Sequence, residues 1–172
     1  MEQGVLPKQT IKQLLDANPP LVAGLLDPDL QLQPCGIDLT VAEIASLEGE
    51  GKLAVENADR ILPTPSVMPF GNDGWIYLDQ GSYLLTVNEV INLPTDVMAL
   101  GRPRSSLLRS GVTVGTAVWD PGYQGRSQCL FVVHNNAGFR LERNARIIQL
   151  MFFHLDSPSE MGYQGIYQNE NL

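Results

Sequence analysis

The chain opens on one short helical pattern. Apolar Ile11, Leu14 and Leu15 recur between Lys8 and Ala17, after Pro7 and before Asn18-Pro19-Pro20; steps of three and four residues put them on one face, and the prolines bound the run. A single helix is predicted there, expected to cover the end of a sheet. Beyond it the texture changes to brief apolar or alternating runs broken by Gly, Pro, Asn and Asp, as in an all-β sandwich or barrel. Strands are predicted near Gly36–Val41, Trp75–Leu78, Ser82–Val87, Val97–Leu100, Val112–Ala117, Cys129–His134 and Ile147–Leu155. The text from Glu48 to Gly74 is irregular, holds Pro63, Pro65 and Pro69, and is expected to run as a long excursion over the surface. Asp156–Leu172 is polar, poor in aliphatic residues and punctuated by Tyr163 and Tyr167. By composition alone it reads as a disordered tail.

With 172 residues, 44% of them hydrophobic, the chain fits one domain with a useful core. No apolar run approaches the roughly 20 residues that span a bilayer, so no membrane partner is expected. The start, Met1-Glu2-Gln3-Gly4, lacks the basic flank and apolar stretch of a signal peptide, and two cysteines, Cys35 and Cys129, make no disulfide framework. A cytoplasmic setting is the expectation. A formal charge of −8 argues against nucleic acid as a partner, because affinity for a phosphate backbone needs clustered Lys and Arg. A small anion needs only a local cluster. The arginines gather at Arg102, Arg104 and Arg109.

That cluster lies in Gly101-Arg102-Pro103-Arg104-Ser105-Ser106-Leu107-Leu108-Arg109-Ser110-Gly111. Two serines after an arginine, entering one helical turn that ends in another arginine, offer hydroxyls, free N–H groups and guanidinium forks to a polyphosphate. The same residues also read as a short connecting helix with a solvated basic face. A second segment, Ala117-Val118-Trp119-Asp120-Pro121-Gly122-Tyr123-Gln124-Gly125, ends a strand at an acid and turns through Pro-Gly. Asp120 is there either as a turn former bonded to nearby backbone or as a functional carboxylate. The histidines, His134 and His154, stand apart without ligand spacing, so a His/Cys zinc deaminase is not supported.

Six segments in order resemble dCTP deaminases and trimeric dUTPases, nearest the archaeal-type dUTPase branch. Gln33-Pro34-Cys35-Gly36-Ile37-Asp38-Leu39 is similar to the early acidic motif, Arg104–Gly111 to the phosphate motif, and Asp120–Gly125 to the hairpin motif. Gly81–Leu85 through Leu93-Pro94 matches a supporting stretch, Ala145-Arg146-Ile147-Ile148-Gln149-Leu150 the late strand, and Gly162–Gln168 the closing tail. The resemblance implies a distorted jelly-roll-like barrel over residues 1–155, assembled as a homotrimer with sites at subunit interfaces, and an arm over 156–172 that closes on the nucleotide. It implies phosphate contacts by Arg104, Ser105, Ser106 and Arg109, with Gln149 helping. Nucleoside contacts are implied for Tyr123, Gln128, Cys129 and Leu130, with Tyr123 packed under the deoxyribose so that a 2′-hydroxyl is excluded. Tyr163 and Tyr167 are implied as arm contacts, and Asp38 as a buried acid that pairs with an arginine and supports the site. Mg²⁺ is expected to ride on the triphosphate, with no direct protein ligands.

Two chemistries share this resemblance. Deaminases of the fold place a glutamate about ten residues past the hairpin aspartate to shuttle protons. Here that position is Leu130, and no Asp or Glu stands between Asp120 and Glu142. His134, four residues on, lies about 13 Å further along a strand that rises about 3.3 Å per residue, while proton transfer needs about 3 Å or one bridging water. The expected activity is therefore hydrolysis of dUTP to dUMP and pyrophosphate, with Asp120 orienting and deprotonating the attacking water. The extra proline in Arg102-Pro103-Arg104 also resembles the dUTPase form of the phosphate motif more than the deaminase form. Against the pattern, Ile166 and Glu170 stand where family tails carry Lys and Gln. A dCTP deaminase or bifunctional enzyme, and a non-catalytic dUTP-binding regulator, stay open as alternatives.

Overall fold

Alternation along the chain dictates most of the architecture. In a computed structural model describing residues 4–172, the N-terminal part contains β1 (Gly4–Val5), α1 (Lys8–Leu15), β2 (Val22–Ala23), α2 (Pro28–Gln31) and β3 (Leu32–Gln33). The long strand β4 (Gly36–Glu48) follows, then β5 (Thr64–Met68), β6 (Trp75–Leu78), β7 (Gly81–Val87), β8 (Val90–Asn92) and β9 (Val97–Pro103). Helix α3 (Ser105–Arg109) leads to β10 (Val112–Gly115), β11 (Gln124–Gly125), β12 (Gln128–Val133), β13 (Phe139–Glu142) and β14 (Arg146–His154). The fold is all-β with short helices, as the texture predicts. No helix among the described residues is long and apolar enough to cross a membrane.

The main sheet runs in the order β1-β14-β4-β7-β12-β10, with β3 and β5 also on β4 and β9 on the other edge of β14; every pairing is antiparallel. Its curl comes from β4. Residues Ile37–Thr40 pair with β14, and residues from Val41 onward pair with β7 and then β5, so one strand serves both halves. Fully buried Ile37, Leu39, Leu85, Phe131, Ile148 and Phe152 fill the space between them. Helix α1 ends two residues short of its predicted end, with Ile11 fully buried.

Two differences from the predicted pattern matter. Strand β5 lies inside the stretch expected to be irregular, pairing Ile44↔Met68 through Glu48↔Thr64. Pro65 is tolerated because β5 is an edge strand whose outer side needs no N–H. The second is the tail, whose composition suggests disorder. Instead it folds back on the turn of residues 121–126: Tyr163 N–H donates to Pro121 O at 2.8 Å, Asn169 N–H to Gln124 O at 2.8 Å, and Arg126 N–H to Glu170 O at 2.9 Å. Hydrogen bonds of its backbone and of the Gln168, Glu170 and Asn171 side chains, not aliphatic burial, hold it.

Candidate active site

One face of β4, β14 and β9 gathers the cationic residues. Gln149 stands opposite Asp38 on one side and Arg102 on the other, and directly opposed residues share a face. The β4–β14 register slips between Arg146 and Ile148; such a bulge re-aims a side chain. Here the Arg146 guanidinium reaches Leu30 O at 2.6 Å and the Asp38 carboxylate at 3.3 Å. Asp38, nearly sealed from solvent, also holds Arg104 Nε at 3.1 Å. Burial pushes the Asp38 carboxyl up from its ordinary range, against the opposing pull of Arg104 and Arg146. Burying the Asp38 carboxylate is therefore costly, and the two guanidiniums offset part of that cost. Arg104 caps the start of α3, whose Leu107 is buried as its anchor while Ser105, Ser106 and Arg109 stay exposed. Arg146, not expected among the site residues, joins this cluster through a contact with Asp38 across 108 residues.

A second centre forms at the hairpin. Trp119 exchanges backbone bonds with Ala99 at 2.9 and 3.1 Å, which fixes the strand end that carries exposed Asp120. The turn then passes Gly122, whose φ of +81° suits glycine, and an added Cβ there would meet Gly162 Cα at 2.7 Å. Beside the turn lies a pocket of about 760 Å³, with Asp120, Tyr123 and Gln128 on one side and Tyr163, Tyr167 and Glu170 of the tail on another. The Tyr123 and Tyr163 rings meet edge to face, centroids 5.8 Å apart.

Deep in this pocket the polar groups are satisfied internally. Trp119 Nε1 donates to Ser127 Oγ at 2.6 Å, Ser127 Oγ and the Tyr123 hydroxyl are 2.9 Å apart, and Tyr123 donates to Glu170 Oε1 at 2.7 Å. Burial, with Glu170 adding to it and Ser127 opposing, pushes the Tyr123 phenol well above its ordinary range. It stays a neutral donor. Burial likewise raises the Glu170 carboxyl, with the Tyr123 bond acting the other way, and pushes the Cys129 thiol up to about 12.

The structure thus divides the predicted residues. Asp120, Tyr123, Gln128, Tyr163 and Tyr167 share the hairpin pocket. Cys129 alternates inward to the core, and Leu130 faces outward beside Gly115; strand period two sends neighbours to opposite sides. Arg104, Ser105, Ser106, Arg109 and Gln149 are not among the pocket walls, whose only acidic or basic side chains are Asp120 and Glu170. Sequence reasoning along the hairpin finds no second carboxylate, yet the fold delivers Glu170 from the tail. Among the described residues no group of three or more His, Cys, Asp or Glu is arranged to hold a metal ion.

The chain matches the family model described as dCTP deaminase-like over residues 5–155. It belongs to the dCTP deaminase-like family. Within reach of that family, it is 47% identical over 168 residues to a probable deoxyuridine 5′-triphosphate nucleotidohydrolase of Methanococcoides burtonii, covering 98% of this chain and 99% of the relative. A deoxyuridine 5′-triphosphate nucleotidohydrolase of Methanocaldococcus jannaschii is 40% identical over 139 residues, 80% of this chain and 87% of that one. Among solved structures, the 2′-deoxycytidine 5′-triphosphate deaminase of Agrobacterium tumefaciens superposes with a TM-score of 0.64 at 20% identity, over 90% of this chain. This chain spans about half, 49%, of that one, and the likeness establishes the fold of this family member.

Proposed function

We propose that this protein is a dUTP diphosphatase that releases dUMP and pyrophosphate. The observation that carries the reading is its near-full-length likeness to archaeal nucleotidohydrolases, together with a hairpin that offers Asp120 and no carboxylate at Leu130. The nucleoside enters the pocket beside Tyr123 and Gln128, with the Tyr123 ring against the sugar. The Tyr123 hydroxyl is already bonded to Ser127 and Glu170, so a ribose 2′-hydroxyl buried against it would lack a partner. Asp120, exposed at the pocket edge, orients a water in line with the α-phosphorus and takes its proton. Mg²⁺ would be held by the substrate's phosphates and not by side chains of this chain, and there it would spread their charge.

The phosphates need cations that this pocket lacks. Arg104, Ser105, Ser106 and Arg109, steadied by the Asp38–Arg146 contact and Gln149, are assigned to them, supplied by a neighbouring subunit of a homotrimer. The chemistry supports that arrangement: a triphosphate next to Asp120 and Glu170 alone would be repelled. The decisive experiment measures pyrophosphate from dUTP and ammonia from dCTP under the same Mg²⁺ conditions. Pyrophosphate from dUTP with no ammonia from dCTP is expected; ammonia at a comparable rate would restore the deaminase, with Glu170 the first residue to examine.

A further inference from the structure

Glu170 closes a hydrogen-bond chain whose role rests on the hydrolytic function proposed for Asp120. An indole N–H only donates and a carboxylate only accepts. With Trp119 Nε1 on Ser127 Oγ and Tyr123 on Glu170 Oε1, the Ser127 proton has one direction left, toward Tyr123 at 2.9 Å. The polarity of the whole chain is fixed: Trp119 to Ser127 to Tyr123 to Glu170. It begins on the residue bonded covalently to Asp120 and ends on the arm, 47 residues beyond Tyr123.

The fit around the carboxylate is built. Glu170 is held by its own carbonyl, which accepts from Arg126 N–H at 2.9 Å, and it bridges to Gly125 in parallel register. A Cβ on Gly125 would meet the Tyr123 hydroxyl at 2.7 Å and Glu170 Cγ at 3.1 Å, so only glycine leaves room for both. Among the described residues no Lys or Arg forms an ion pair with Glu170. A half-buried carboxylate with a phenol as its partner is a poor stabilising device. Its place in the chain gives it a different use.

We propose that Glu170 is a positioning residue: docked by the arm, it orders the Tyr123–Ser127–Trp119 hydrogen-bond chain and so sets the turn that carries Asp120. Docking of the arm is thereby read at the hydrolytic water.

Two readouts test it in Glu170→Gln, Glu170→Ala, Tyr123→Phe and the Glu170→Ala/Tyr123→Phe double variant. The first is steady-state dUTP hydrolysis. Glu170→Ala and Tyr123→Phe are each expected to lower kcat about tenfold, the worth of one hydrogen bond to a charged group, with KM changed less than about threefold. Glutamine keeps an acceptor oxygen and should rescue most of kcat. The double variant should be no worse than the poorer single one, as for members of one network. The second readout is the emission of Trp119 in a Trp75→Phe background, which leaves it the sole indole of the two in the chain. Glu170→Ala and Tyr123→Phe should shift it alike, and Glu170→Gln should not. A wild-type chain without dUTP turnover would sink the proposed function and leave Trp119 emission to decide this inference. Unshifted emission in Glu170→Ala, additive losses in the double variant, or Glu170→Gln as damaging as Glu170→Ala would overturn it.

Discussion

Asp120 stands exposed where the strand end is pinned by paired bonds between Trp119 and Ala99, so its replacement disturbs little besides its own chemistry. Asparagine keeps the size and loses the proton acceptor. Asp120→Asn is expected to leave the thermal midpoint and nucleotide binding near wild type and to lower kcat by roughly 10² to 10⁴, the usual range for a general base. Equilibrium binding of a non-hydrolysable dUTP analogue beside a turnover assay checks it; full turnover would remove Asp120 from the mechanism. At this scale, legibility followed sequence distance. Asp120 and Tyr123 announce themselves through a local Asp-Pro-Gly-Tyr turn, whose geometry is encoded in adjacent residues. The Arg146–Asp38 contact spans 108 residues and the Tyr123–Glu170 contact 47, and no local pattern marks either. Glu89 is the same case: fully buried, it accepts from Gln31 at 2.7 Å and from the Thr40 hydroxyl at 2.6 Å, a lock between α2 and β4 invisible along the chain.

Elements were readable where one face is buried and obscure where neither is. Strand β12 alternates buried and exposed residues and is predicted almost to its ends. Strand β5 has no buried position, so period-two alternation is missing and only pairing to β4 makes it a strand. Four-residue β13 alternates, with Leu141 buried, but is too short to stand out between Gly138 and Asn144. The arm is the sharpest case, because hydrogen bonds to the turn of residues 121–126 leave almost no hydrophobic trace. Since it adds little to the core, deleting residues 156–172 should cost little stability. Without the arm the pocket loses Tyr163, Tyr167 and Glu170 as walls, and water enters beside the nucleotide. The truncated chain is expected to keep a cooperative thermal transition within a few degrees of wild type while kcat/KM for dUTP falls about a hundredfold, the scale of loss when a reacting geometry is no longer held. Calorimetry and kinetics on the same preparation check both halves; equal losses in stability and activity would make the arm a structural element instead.

Across the whole molecule, acidic and basic groups gather in separate places. The described chain separates its chemistry into a hairpin pocket whose acidic or basic walls are only Asp120 and Glu170 and an arginine cluster around Asp38. A nucleoside triphosphate needs both at once, one end beside a carboxylate that activates water and the other among guanidiniums. In the proposed homotrimer, rotational symmetry would place the cluster of one subunit against the hairpin of the next. A homotrimer of that kind makes each site a joint product of two chains, which mixing detects. Asp120→Asn destroys the hairpin half and Arg109→Ala the phosphate half, and each homotrimer should be nearly inactive. When the two variants are unfolded, mixed in equal amounts and refolded together, a site is whole only where an intact hairpin faces an intact cluster. Random cyclic assembly makes that true of about a quarter of the sites, so activity should return to about a quarter of wild type at equal protein. Sedimentation of the same sample should report a single trimeric species. If instead each chain builds its own site, every site keeps one defect and the mixture stays as inactive as its parents.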